Sequence, residues 1–191
     1  MRRGKSVVLL LGHYGNWEWV TYAARKFVPG AVMCEIYHPL SDEAMDRVML
    51  ELRSRFGTEN IPMRHTLRRL LEIHKEGRQF VCGFISDQRP FEGEPKHWTD
   101  FLGIDTPVIN GGEAIGSRIG AEFFYAGITP EKRGRYTLTL SKLEPVDDGE
   151  ENPYTRAYFR KLEEDIRRKP PYWLWSHNRW VHGRSYAKSG D

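Results

Sequence analysis

Short apolar runs bounded by glycine and polar residues alternate along the chain with stretches in which apolar residues recur every three or four positions. The runs predict buried strands, and the recurring spacing predicts amphipathic helices. The predicted strands cover residues 6–12, 31–37, 79–86, 121–129 and 135–143, and the predicted helices cover 16–27, 41–56, 64–76, 110–119 and 153–168. This alternation predicts a single layered α/β domain with a mixed, mostly parallel sheet flanked by helices.

Two connections stand out in this pattern. Gly134 lies between the last two predicted strands, which are therefore expected to pair antiparallel. Residues 87–108 are interpreted as one long loop, and long loops in compact domains are commonly functional. The loop begins at Asp87, directly after a predicted strand.

His13 stands directly behind the first predicted strand, in the sequence His-Tyr-Gly-Asn-Trp-Glu at 13–18. Open α/β sheets hold their functional groups at the carboxyl ends of strands. Gly15 permits a tight turn and Asn16 is a favoured N-cap, so Glu18 falls in the first helical turn, where the helix dipole favours a carboxylate. His13 and Glu18 can then converge. A carboxylate that accepts from one imidazole nitrogen leaves the other able to take a proton, so the pair predicts a general base.

Length and charge narrow the function classes. The chain has 191 residues, a net charge of +3 and an isoelectric point near 8.8. One domain is expected, and so mild a positive excess fits acidic partners but is not a nucleic-acid signature. The apolar run at 7–12 is too short for the core of a signal peptide and far shorter than a membrane span of about 20 residues. A soluble or peripheral protein with no nucleic-acid partner is predicted.

The motif at 13–18 resembles that of the bacterial lipid A biosynthesis acyltransferases, the lauroyl/myristoyl transferases within the wider His-x4-Asp/Glu lysophospholipid acyltransferase class. Further blocks follow in the family's order over nearly the whole chain: Arg-Ser-Arg-Phe-Gly at 53–57, Ser-Asp-Gln at 86–88, Phe-Leu-Gly at 101–103, Thr-Pro at 106–107, Arg-Ile-Gly-Ala at 118–121 and an aromatic and basic block at 171–180. Two departures are His38, where many relatives carry arginine, and the start of the chain, where relatives have a membrane helix and a further helical segment. The resemblance thus implies that residues 1–191 are an acyltransferase catalytic domain shortened at its amino-terminal side.

The resemblance implies an O-acyltransferase that moves a fatty acyl chain from acyl carrier protein, or coenzyme A, to a hydroxyl of a lipid A precursor or related glycolipid. The thioester is a co-substrate, and no other cofactor and no metal are expected. The implied partners are acyl carrier protein, the lipid acceptor and a membrane surface at the cytoplasmic face of the bacterial inner membrane. The implied catalytic pair is His13 and Glu18, and the candidate substrate-binding residues are Asn16, Arg53, Arg55, Asp87 and Arg179.

Other interpretations stay open at this point. The same His-x4-acid chemistry serves glycerophospholipid acylation, and water in place of the hydroxyl would give a thioesterase. A metal-dependent hydrolase using His13, Glu18 and Asp87 is disfavoured, because no second histidine stands at helical ligand spacing near His13. A non-enzymatic module next to a membrane is a further alternative. The aromatic and basic tail at 172–186 fits either an interfacial belt or a final strand that buries Trp173 and Trp175.

Overall fold

The computed structural model describes residues 4–20, 23, 26, 28–90 and 97–180, and a six-stranded sheet forms its centre. The strands are β1 (Val7–Leu11), β2 (Val32–Tyr37), β3 (Glu59–Pro62), β4 (Phe80–Ile85), β5 (His97–Phe101), β6 (Ile104–Val108), β7 (Glu122–Lys132) and β8 (Arg135–Lys142). The order across the large sheet is β3-β2-β4-β1-β7-β8. Only β8 runs antiparallel to its neighbour in this sheet, whereas β5 and β6 form a separate hairpin. The predicted mixed, mostly parallel sheet is confirmed.

Helices flank this sheet. They are α1 (Glu43–Ser54), α2 (Thr66–Lys75), α3 (Gly111–Ile119) and α4 (Pro153–Arg168), with 3₁₀ turns at Trp17–Trp19, Met63–His65 and Pro170–Tyr172. In the part of the chain that the structure describes, none of the helices has both the length and the apolar character needed to cross a bilayer.

Strand β1 lies inside the sheet, and all five of its residues are buried. Val8 and Leu10 join the larger core with α4, while Val7, Leu9 and Leu11 face a second core on the opposite side. A strand covered on both faces needs a continuous apolar run, which explains the sequence pattern at 7–12. The polar residues at the end of this strand are therefore held by a rigid element.

Three elements differ from the sequence prediction. Strand β3 was not predicted, because only Ile61 of its four residues is buried and the strand lies at the sheet edge. The predicted loop 87–108 contains the β5–β6 hairpin, whose two turn residues, Leu102 and Gly103, have φ of 59° and 79°. Positive φ at both positions matches a two-residue hairpin turn. The helix predicted at 16–27 starts as the 3₁₀ turn Trp17–Trp19, and most of its remainder lies outside the described residues.

Strands β1 and β4 are adjacent and parallel, with Leu11 opposite Ile85. Both strands therefore end at the same edge of the sheet. His13 comes two residues after the end of β1, and Asp87 comes two residues after the end of β4. The topology brings these two side chains together.

Candidate active site

The His13 imidazole faces Asp87 across the ends of the two central strands. His13 Nδ1 lies 2.6 Å from Asp87 Oδ1. The other carboxylate oxygen, Oδ2, accepts the backbone N–H of His13 at 2.9 Å. With the carboxylate as acceptor, the ring proton resides on Nδ1, so Nε2 carries the lone pair. The arrangement is that of a histidine base oriented by an acid.

Asp87 is 2 % exposed and is held by three hydrogen bonds. The third comes from the indole N–H of Trp173, which donates to Oδ2 at 2.8 Å. Burial raises the pKa of Asp87, but the donors from His13 and Trp173 outweigh it, so the pKa lies below its ordinary value. The carboxylate is therefore ionised at neutral pH and can stabilise a positive charge on the neighbouring ring.

The second ring nitrogen of His13 faces Gln88. The Gln88 Nε2 lies 3.3 Å from His13 Nε2, consistent with a side-chain amide that donates to the ring lone pair. The edge of the ring also meets Trp17, with ring centroids 5.2 Å apart. The ring is thus bounded on three sides, and Nε2 is the atom from which it can act as a base.

Glu18 takes a different position from the one expected from the sequence. Its carboxylate accepts from Arg53 Nη2 at 2.8 Å and from Arg53 Nε at 3.3 Å. Arg53 Nε also lies 2.9 Å from Glu35 Oε1. The carboxylate that contacts the His13 ring is Asp87, and Glu18 instead links the 3₁₀ turn after His13 to helix α1.

The other candidate substrate-binding residues lie in three different locations. Asn16 is half-buried at the start of the 3₁₀ turn and lines a groove described below, while Arg55 is exposed at the end of α1. Arg179 is 1 % exposed and donates to the Pro107 carbonyl. The structure does not bring Arg55 or Arg179 into direct contact with the His13 ring among the described residues.

Arg179 is unusual among the buried side chains. Its Nε and Nη1 have no hydrogen-bond partner within the described residues, and burial lowers its pKa to about 10. Nearby, His177 Nε2 accepts the backbone N–H of Arg89 at 3.2 Å. Burial, followed by the Arg179 and Arg89 charges, lowers the pKa of His177. The terminal segment thus places a cation and a neutral histidine behind the His13–Asp87 pair.

Helix α4 supports the turn that carries His13. The Tyr158 hydroxyl donates to the Leu11 carbonyl at 2.9 Å, and the Tyr14 hydroxyl reaches the Asp165 carbonyl at 3.0 Å. Gly12 packs so closely against this helix that a Cβ there would lie 2.7 Å from Leu162 Cδ1 and 3.3 Å from Asp87 Oδ2. The backbone at Gly12 therefore follows the surface of α4, with no room for a side chain.

Two backbone donors near His13 are already engaged. Tyr14 N–H donates to the Gly12 carbonyl at 2.7 Å, and Gly15 N–H donates to the Tyr172 carbonyl at 2.9 Å. An oxyanion that forms beside this base would need free hydrogen-bond donors. The Gly15 amide is committed to the fold, so the nearest side-chain donor to the His13 base in the described contacts is the Gln88 amide.

An open, mostly apolar groove of about 390 Å³ lies beside the 3₁₀ turn that follows His13. Its volume lies in the range of small-molecule pockets, roughly 300–1,000 Å³. Trp19 and Tyr136 contact each other along it, with ring centroids 5.8 Å apart. Its other lining residues include Asn16, Lys26, Phe56, Ile128 and Leu138. The groove offers an apolar surface three residues along the chain from His13.

Sequence reasoning assigned no individual role to Gln88, Tyr158 or Trp173. Gln88 was visible as part of the Ser-Asp-Gln block, and Trp173 as part of the terminal aromatic block. Tyr158 stood in a predicted amphipathic helix with nothing to separate it from other core residues. The sequence alone does not reveal the long-range contacts that bring these side chains to the ends of β1 and β4.

Comparison with known proteins gives one family. The family model described as bacterial lipid A biosynthesis acyltransferase matches residues 1–182. No curated protein matches the chain.

Proposed function

Since the chain belongs to the bacterial lipid A biosynthesis acyltransferase family and is an acyltransferase, we propose that it transfers a fatty acyl chain from acyl carrier protein to a hydroxyl of a lipid A precursor. The observation that carries this proposal is the His13 ring, whose Nδ1 lies 2.6 Å from the ionised Asp87. This arrangement supports a base able to activate an acceptor hydroxyl.

In the proposed reaction, His13 Nε2 takes the proton of the acceptor hydroxyl as its oxygen attacks the thioester carbonyl carbon. The tetrahedral intermediate then collapses, and the carbon–sulfur bond breaks. The imidazolium returns its proton to the departing thiolate, so the products are an ester and the free carrier thiol. Asp87 holds the ring and stabilises the imidazolium that forms between these two steps.

Gln88 supports two stages of this scheme. In the structure its amide donates toward His13 Nε2, so an arriving acceptor hydroxyl must replace it. The displaced amide would remain beside the reacting carbonyl and could donate to the oxyanion. A donor that is preorganised for the oxyanion contributes roughly 10²–10³-fold to the rate in acyl transfer, and a donor that must first move should contribute less.

Glu18 and Arg53 have a supporting role in this proposal. Their ion pair links α1 to the turn after His13, and Glu18 lines the same small cavity as Trp17. The catalytic role expected for Glu18 is thereby replaced by a positioning role, and Asp87 changes from a candidate substrate-binding residue to the orienting acid. Asn16 remains a proposed substrate contact through the groove that it lines.

The groove supports a lipid substrate. Exposed Trp19, Phe56 and Tyr136 surround it, and Lys26 adds a cation at its edge. Aromatic rings at such a position suit an acyl chain that enters from a lipid surface. We therefore propose that the enzyme works against the cytoplasmic face of the inner membrane, with the groove receiving an acyl chain.

The decisive experiment measures acyl transfer from acyl carrier protein thioesters of several chain lengths to a tetraacyl lipid A precursor in detergent. Wild type should form the acylated lipid, and His13→Gln should abolish it. His74→Gln, an exposed histidine on α2, serves as the matched control and should keep full transfer.

Two results would redirect the proposal. Release of free fatty acid at the same rate with and without acceptor would make the protein a thioesterase. Equal transfer from coenzyme A thioesters would remove the preference for acyl carrier protein, which the net charge of +3 favours because the carrier is acidic.

A further inference from the structure

Trp173 contacts Asp87 directly and pairs with the turn that carries His13. Its indole N–H donates to Asp87 Oδ2 at 2.8 Å, and its side chain is buried. Its backbone forms an isolated antiparallel bridge with Tyr14. The residues on either side complete the bridge, since Leu174 N–H donates to the His13 carbonyl at 3.0 Å and Gly15 N–H to the Tyr172 carbonyl at 2.9 Å.

These contacts restrict the rotation of the Asp87 carboxylate. One oxygen, Oδ1, contacts the His13 ring, and the other accepts from His13 N–H and Trp173 Nε1. A carboxylate held at both oxygens cannot rotate about its Cβ–Cγ bond without breaking a buried hydrogen bond. Leaving such a buried group unpaired costs about 1–3 kcal/mol, which favours a single orientation.

We propose that Trp173 is a positioning residue for catalysis, which acts by fixing the Asp87 carboxylate through its indole N–H. This inference rests on the proposed acyl transfer by His13 and extends it to a residue almost at the end of the described chain. Trp173 touches no substrate in this account. Its effect reaches the reaction through Asp87 and the His13 ring.

The same aromatic cluster contains a matched comparison. Trp180 lies 5.9 Å from Trp173 between ring centroids, and both rings contact Phe101. Trp180 also uses its indole N–H, but donates it to Thr106 Oγ1 at 2.9 Å. Replacing either tryptophan by phenylalanine exchanges an indole for a smaller phenyl ring in this cluster and removes one indole N–H donor. Only one of these donors reaches Asp87.

The test compares Trp173→Phe with Trp180→Phe. Trp173→Phe should lower kcat roughly 10- to 100-fold with little change in KM, since misplacement of a catalytic group by about 1 Å costs up to 10²-fold. The acid limb of its kcat/KM profile should move to higher pH, because Asp87 loses a donor and its charge then favours the imidazolium more strongly. Trp180→Phe should lose similar stability but keep the kcat and pH profile of the wild type.

Two measurements keep the result independent of folding and of activity. The Nδ1–H proton of His13, observed by NMR in labelled protein, should shift in Trp173→Phe and stay in place in Trp180→Phe. Incorporation of 3-benzothienylalanine at position 173 keeps the ring shape and removes only the donor, and should reproduce the Trp173→Phe effects. Identical behaviour of both phenylalanine variants in rate, pH profile and NMR signal would overturn the inference while leaving acyl transfer by His13 intact.

Discussion

Arg53 donates two hydrogen bonds to the Glu18 carboxylate, from Nη2 to Oε1 at 2.8 Å and from Nε to Oε2 at 3.3 Å. This ion pair links helix α1 to the turn that follows His13. Arg53 Nε also reaches Glu35 on β2 at 2.9 Å. The His-x4-Glu motif therefore joins two functions in this chain. In the proposed reaction its histidine is the base, whereas its glutamate pairs with Arg53 beside the turn.

Glu18 and Arg53 should behave as one unit in a double-mutant cycle. Glu18→Gln and Arg53→Met should each destabilise the protein, and the double variant should lose less than their sum. Because both side chains are partly exposed, a coupling of about 0.5–1 kcal/mol is expected. Urea unfolding of the four proteins measures it. Strict additivity would show that the ion pair contributes nothing to the fold in solution.

Asp87 and Glu18 can be separated by conservative amide variants. Asp87→Asn should lower kcat by about 10⁴-fold, the loss typical when the orienting acid of a histidine base is neutralised. Glu18→Gln keeps the shape of the side chain and should cost only roughly 10-fold. Transfer assays at saturating substrate give both values. The reverse ranking would restore Glu18 as the orienting acid.

Asp87 should also leave a signature in the pH dependence of stability. Its pKa in the folded protein is lowered, so the fold favours the ionised form. This stabilisation is fully present above the unfolded pKa of about 3.9 and is lost as pH falls through the lower folded value. The difference in unfolding free energy between wild type and Asp87→Asn should therefore shrink from pH 6 to pH 3. Denaturant unfolding across that range measures it, and a constant difference would contradict the assignment.

Tyr158 should influence both stability and rate. Tyr158→Phe leaves the buried Leu11 carbonyl without its 2.9 Å donor, at a cost of about 1–3 kcal/mol. Because Leu11 ends β1 two residues before His13, kcat should fall as well.

Tyr125→Phe provides the control for this effect. Its hydroxyl donates to Asp165 Oδ2 at 2.7 Å, so the variant loses a buried hydrogen bond while the Leu11 carbonyl keeps its donor. Thermal unfolding should give similar losses for both variants, and only Tyr158→Phe should lose activity. Equal activity in the two would remove the link between Tyr158 and the His13 turn.

The central strands could be predicted from the sequence because each is marked by a local run of apolar residues. An unbroken apolar run marked β1, and the same kind of run marked β4, so the placement of His13 and Asp87 at strand ends could be predicted. Strand β3 and the β5–β6 hairpin escaped prediction because their residues are largely polar or half-buried. Such edge elements are stabilised by pairing partners that a local pattern does not reveal.

The partner of His13 was harder to predict for a geometric reason. Glu18 is close in sequence, but the 3₁₀ turn at Trp17–Trp19 directs its carboxylate toward Arg53. Asp87 is distant in sequence, and the register of Leu11 with Ile85 brings it close in space. The contact of Trp173 with Asp87 was harder still to predict, because it depends on the path that the chain takes after α4. The spacing of residues along the chain could identify these residues as candidates, but it could not predict which of them contact each other.

The bridge between Tyr14 and Trp173 joins the turn that carries His13 to a segment 159 residues further along the chain. During synthesis, the turn that contains His13 leaves the ribosome well before the segment that contains Trp173. Until that segment docks, Asp87 lacks the Trp173 donor, so the proposed transfer should run below its full rate. Contacts of such long sequence separation also form late in folding, because loop closure must precede them. The rate of the proposed transfer should therefore rise when the segment around Trp173 docks on the turn at Tyr14.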